Sequence, residues 1–120
     1  APDDPSALGA YAQLLQRLGD PAALVMAEKA MKLAPGQAAY ADAYGWMLVG
    51  KGDLEGGIRI LREARLREPG NGVYHWHLAI ALGKAGKKAE AKDELLAALA
   101  TGNPPPPGPE LSKLKAELGL

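Results

Sequence analysis

The stretch YADAYGWMLVGKGDLEGGIRILREARLREP, residues 40–69, is followed by YHWHLAIALGKAGKKAEAKDELLAALATGN, residues 74–103, and the two align at an interval of 34 residues. Tyr40 returns as Tyr74, Leu48 as Leu82, Gly52 as Gly86, Leu61 as Leu95, and Pro35 as Pro69. Ala30 returns as Ala64 and again as Ala98. A fixed period of this length marks a stacked repeat, in which each unit buries its apolar face only against its neighbours. Such architectures bind far more often than they catalyse.

Outward from this stretch, helix-compatible segments alternate with short Gly/Pro breaks. Helices are expected over about 5–18, 22–34, 38–50, 54–67, 72–84 and 88–101, with a seventh at about 109–118. Gly19, Gly52 and Gly86 each stand where one helix ends and the next begins. Glycine takes the left-handed closing conformation at little steric cost. Asp20 and Asp53 follow as N-caps, with Pro21 at the first helical position. Apolar residues recur at three and four: Tyr44, Met47 and Leu48 in one helix, Leu78, Ala79 and Leu82 in its counterpart. Ile58, Leu61 and Ala64, then Ala91, Leu95 and Ala98, face them from the second helices. The chain is read as all-α, a single domain over residues 1–120.

Composition agrees. The hydrophobic fraction is 48%, rich in alanine and leucine and without Phe, which favours helix over strand. Lys plus Arg balances Asp plus Glu at 14 each, so no global field draws nucleic acid or an anionic membrane. There is no cysteine, hence neither disulfide nor thiolate metal site. No apolar run approaches the roughly 18 residues of a membrane span, so no membrane insertion is expected. Absence of cysteine leaves the compartment open between periplasm and cytoplasm. The opening Ala1-Pro2-Asp3-Asp4 lacks Met, as in a fragment or processed product.

These residues resemble the tetratricopeptide repeat (TPR), whose motif runs W-x2-L-G-x2-Y, then A-x3-F, A and P. The second copy carries Ala41, Tyr44, Gly45, Leu48, Gly57, Leu61, Ala64 and Pro69. The third carries His75, Leu78, Ala79, Leu82, Ala91, Leu95 and Ala98, then Asn103-Pro104. The first carries Leu8, Tyr11, Ala12, Leu15, Ala23, Ala27, Ala30 and Pro35. Repeat 1 covers about 5–37, repeat 2 about 38–71 and repeat 3 about 72–103. A Pro-rich spacer follows at 104–108, then a capping helix at about 109–118. Copy one is a residue short at its turn, since Tyr11 to Tyr44 is 33. Gly57 replaces the motif alanine and is expected to loosen its helix by up to about 1 kcal/mol. Tyr44-Gly45-Trp46, Gly52-Asp53 and residues 73–79 also resemble the C-terminal end of long bacterial TPR proteins linked to exopolysaccharide export and protein sorting.

The resemblance implies a right-handed superhelical stack whose first helices line a concave groove. It places Ser6, Gly9, Gln13, Gln16 and Arg17 there from copy one. Asp42, Trp46 and Val49 follow from copy two, and Val73, Trp76, His77, Ile80 and Lys84 from copy three. Trp46 and Trp76 are the only tryptophans. They either clamp a peptide, as aromatic hot spots do, or pad neighbouring helices. Gln13, Arg17, Asp42 and Lys84 would then set polar register.

His75 and His77 lie two apart and so point to different faces, which argues against a shared metal. His75 takes the inward motif position, where a hydrogen-bonded histidine is expected. Lys84, Lys87, Lys88 and Lys92 read as a solvated face or an acidic-tail dock. Carboxylate pairs Asp3-Asp4 and Asp93-Glu94 read as solvated. No G-x-S-x-G, H-E-x-x-H, phosphate loop or cysteine nucleophile is present, so no enzyme, cofactor or metal is expected. The expected partner is a protein or peptide. The alternative is a structural module that stacks on further repeats or self-associates into a homo-oligomer.

Overall fold

The computed structural model describes residues 4–120, so Asp3 of the first carboxylate pair lies outside it. The order is α1 (Pro5–Arg17), α2 (Ala22–Leu33), α3 (Ala38–Gly50), α4 (Leu54–Arg67), α5 (Gly72–Lys84), α6 (Lys88–Leu99) and α7 (Pro109–Glu117). No strand occurs among the described residues. Each odd helix packs mainly on the next, giving pairs α1/α2, α3/α4 and α5/α6. The pairs then stack through α2 on α3, α4 on α5, and α3 on α5. The result is an elongated body of 47 × 27 × 24 Å.

The turns repeat one device. Gly52 has φ 92°, and Gly19 and Gly86 share that left-handed region. Past each glycine the backbone N–H donates five residues back: Asp20 to the Leu15 carbonyl, Asp53 to Leu48, Lys87 to Leu82. The bond satisfies a carbonyl the helix end leaves free. Asp53 then caps α4, its Oδ1 accepting from the Gly56 N–H at 2.9 Å. Asp20 does the same for the Ala22 N–H at 2.9 Å. Regular α2 starts at Ala22, as expected, with Pro21 as its cap instead of its first helical residue.

The main core joins the second and third pairs. Leu61, Leu78, Leu82 and Leu95 are its largest fully enclosed side chains, each worth roughly 1.5–3 kcal/mol of burial. Leu111, Leu114 and Leu118 of the C-terminal segment join the same cluster, so α7 closes this end of the stack. Ala116, on the same short helix, stays exposed. The spacer before α7 is docked, because Pro105 is buried. Asn103 anchors its start, with Oδ1 accepting from the Gly72 N–H at 2.7 Å at the head of α5.

Gly57 corrects an expectation. A methyl there would sit 2.5 Å from Val49 Cγ2 and 2.9 Å from the Gly45 carbonyl oxygen. One at Gly45 would meet Leu61 Cγ at 3.0 Å. The two glycines let the backbones of α3 and α4 meet, so Gly57 is a requirement of the crossing, not a weakness in it.

Glu94 is also corrected. It is buried at 7% exposure, not solvated. Its Oε1 accepts from Arg65 and its Oε2 faces His75 Nδ1 at 2.7 Å. The other ring nitrogen of His75, Nε2, faces the Pro69 carbonyl at 2.6 Å. One polar knot thus ties α4, α5, α6 and the loop at Pro69. Glu90, on the same helix, accepts from Arg62 at 2.5 Å.

Candidate binding groove

Positions 39, 42, 43 and 46 follow the i, i+3, i+4, i+7 rule and share one face of α3. That face forms the floor of a cleft of about 420 Å³. Gln13, Gln16 and Arg17 of α1 line one side; Tyr74 and His77 of α5 line the other. Ala39 and Ala43 keep the floor low, while Trp46 and Met47 make it apolar.

The Trp46 indole lies against the His77 imidazole, with centroids 4.1 Å apart and planes 11° from parallel. Asp42 fixes this stack. His77 Nδ1–H donates to both carboxylate oxygens, at 2.9 and 3.0 Å. An ionised carboxylate only accepts, which assigns the proton to Nδ1. Asp42 is 7% exposed, and this bond is what makes its burial tolerable. Stack and hydrogen bond together join α3 to α5 across the cleft and hold the indole in one orientation.

The burial of Tyr74 pushes its phenol above 10.0, with Glu68 and Asp42 adding to the rise. Tyr44, outside the cleft, is raised in the same way, first by burial and then by its hydrogen bond to Glu28. Both phenols are therefore neutral donors at ordinary pH.

Of the thirteen residues the resemblance placed in the groove, Gln13, Gln16, Arg17, Asp42, Trp46 and His77 come together here. Ser6 and Gly9 line a neighbouring cleft, Val73 is exposed, and four more lie elsewhere. Val49 is 5% exposed and points into the α3/α4 crossing, where Gly57 leaves room for it. Trp76 is half-buried and packs against the main core, which is the padding role. Ile80 and Lys84 line a separate cleft of about 330 Å³ against α7, with Gly83, Glu110, Lys113, Leu114 and Glu117. Asp42 differs in role: its carboxylate is engaged by His77 rather than free to meet a partner.

Tyr74, Met47, Ala39 and Ala43 were missed. The small-residue spacing on α3 carried the signal for the two alanines. Tyr74 was hidden because its counterpart Tyr40 lies against Gly9, where a methyl would meet the Tyr40 ring at 3.1 Å.

His75 and Glu94 form a second histidine–carboxylate pair, but Arg65 and the Pro69 carbonyl occupy both. No group of three metal-ligating side chains occurs among the described residues. No helix among them is long and apolar enough to cross a membrane.

No family model and no curated protein matches the sequence. Among solved structures, the chain is similar to the type III secretion chaperone SycD of Yersinia enterocolitica, determined with a peptide of the translocator YopD. The TM-score is 0.81 at 19% identity, covering 95% of this chain and 88% of SycD. The fold is therefore the TPR-like helical repeat that the 34-residue interval implied.

Proposed function

We propose that the protein is a non-catalytic binding module that holds a peptide segment of a partner protein in the cleft between α1, α3 and α5. The observation that carries this reading is the Trp46–His77 stack, pinned by a buried Asp42 on an otherwise alanine-lined floor. A rigid, half-buried aromatic loses little entropy on binding and is a common anchor. Gln13 and Gln16 each carry an amide donor and acceptor suited to a peptide main chain. Arg17 adds a cation at the rim. The likeness to SycD, determined with a translocator peptide, supports the reading.

The test is selection of a random dodecapeptide library on the parent protein and on Trp46→Ala. The variant should keep its helical spectrum and lose selected peptides by at least about tenfold, the scale of a hot-spot aromatic. Equal binding by a folded variant sinks the proposal.

A second reading, assembly, is favoured by a specific observation at the other end of the stack. Tyr11, Leu14, Leu18 and Val25 are large apolar side chains left exposed on the first pair. Sedimentation across a range of concentrations tests self-association through them.

A further inference from the structure

The 33-residue shift that maps copy one onto copy two sets Tyr11 on Tyr44 and Leu14 on Met47. Residues at the same repeat position have very different surroundings. Met47 is 6% exposed and packs on Ala23 and Ala27 of α2. Tyr44 packs in the same cluster, and its hydroxyl donates to Glu28 Oε2 on α2 at 3.1 Å. Tyr11 and Leu14 are 51% and 44% exposed. Tyr44 and Met47 are the side chains through which the second pair rests on the helix before it. Tyr11 and Leu14 present the same fitting with nothing on it among the described residues.

We infer that this face of α1 is the seat of one further helix–turn–helix repeat of the chain's own kind, entering in register ahead of Pro5. The inference rests on the assembly reading and names its occupant. The occupant's second helix carries small and aliphatic residues toward Leu14, as Ala23 and Ala27 do toward Met47. It also carries a carboxylate placed as Glu28 is, to accept from the Tyr11 hydroxyl.

A second copy of this chain fits less well. Its far end is sealed, because Leu111, Leu114 and Leu118 of the C-terminal segment fill the core there. Head-to-tail stacking would have to expel them. Two copies meeting through α1 would set like faces together and leave both Tyr11 hydroxyls without the carboxylate that Tyr44 finds.

The test adds a copy of residues 4–36 directly ahead of Asp4 of the full chain. The added second helix is then joined to α1 by four residues, as α2 is joined to α3. Sedimentation, thermal melting and amide exchange are read on parent and extended chain. The expected result is a monomeric parent and an extended chain that melts in one transition at higher temperature. Exchange across the original α1 should slow by roughly tenfold or more. Tyr11→Ala in the original copy should erase that slowing while the chain stays folded, since the side chain is exposed in the parent.

A parent that dimerises, and is returned to monomer by Tyr11→Ala, overturns the inference by giving the face to a second copy; the assembly reading then survives. A monomeric parent whose extension melts separately, with α1 exchange unchanged, overturns the inference and the assembly reading together.

Discussion

The first and last helix pairs share a motif but not a degree of closure. In α5 and α6, Leu78, Ala79, Leu82, Ala91, Leu95 and Ala98 are almost wholly enclosed, with α4 on one side and α7 on the other. The first pair buries mostly alanine, with Leu8 and Leu15, and shows Tyr11, Leu14 and Leu18 to solvent. The last pair also shares a polar knot with α4, made by Glu94, His75 and Arg65. The difference teaches that burial in a stacked repeat follows the number of neighbours, not the residue type. Tyr11 and Tyr44 are the same residue at the same repeat position, and among the described residues only Tyr44 has a helix in front of it.

Loosening the closed end breaks the contrast most strongly. The double variant Leu111→Ala, Leu114→Ala removes two buried side chains and should cost about 4–6 kcal/mol in urea unfolding, given roughly 2–5 for each such truncation. An unchanged urea midpoint would mean that α7 does not close the stack.

Glu94→Gln comes next. It leaves Arg65 and His75 without the buried carboxylate they share and should cost about 2–3 kcal/mol. Glu90→Gln, one turn earlier and exposed, should cost under about 1 kcal/mol. Equal effects at the two positions would deny the knot its special place.

The register mates give the most direct comparison. Tyr44→Ala should cost about 2 kcal/mol through lost packing and a lost hydrogen bond. Tyr11→Ala should stay within about 0.5 kcal/mol, as exposed substitutions do. Equal values would mean that the two ends are equally covered in solution.

The smallest effect is alkaline. Tyr44 and Tyr74 are raised above 10.0 in the folded chain, chiefly by burial. Their contribution is fully present below pH 10 and is lost as pH rises through the folded values, because the unfolded chain releases those protons first. Melting temperature should therefore fall faster with pH above 10 in the parent than in a Tyr44→Phe, Tyr74→Phe double variant. Parallel curves would show that neither phenol is shielded.

Most of this architecture was legible because its punctuation has a local cause. Gly19, Gly52 and Gly86 mark turns by conformation, and Asp20 and Asp53 mark helix starts by hydrogen bonding. The helix bounds accordingly agree with the expected ones to within two residues, the largest shift being α6, which ends at Leu99. The fate of Val49 was not legible. It depends on how closely α3 approaches α4, and Gly45 and Gly57 set that distance from opposite sides of the contact. Glu94 was misread for a related reason: its partners lie 19 and 29 residues away, on helices whose rotation only packing fixes. Asp42, Trp46 and His77 all line the cleft between α1, α3 and α5. What the sequence did not reveal is that they hold one another.

That mutual hold gives the molecule an optical consequence. The emission of an indole depends on what lies against its face, and the Trp46 face lies against an imidazole 4.1 Å away. An occupant that slides between the rings, or that draws His77 toward itself, changes the light Trp46 gives back. With Trp76→Phe removing the other emitter, the groove would signal its own occupancy without any added label.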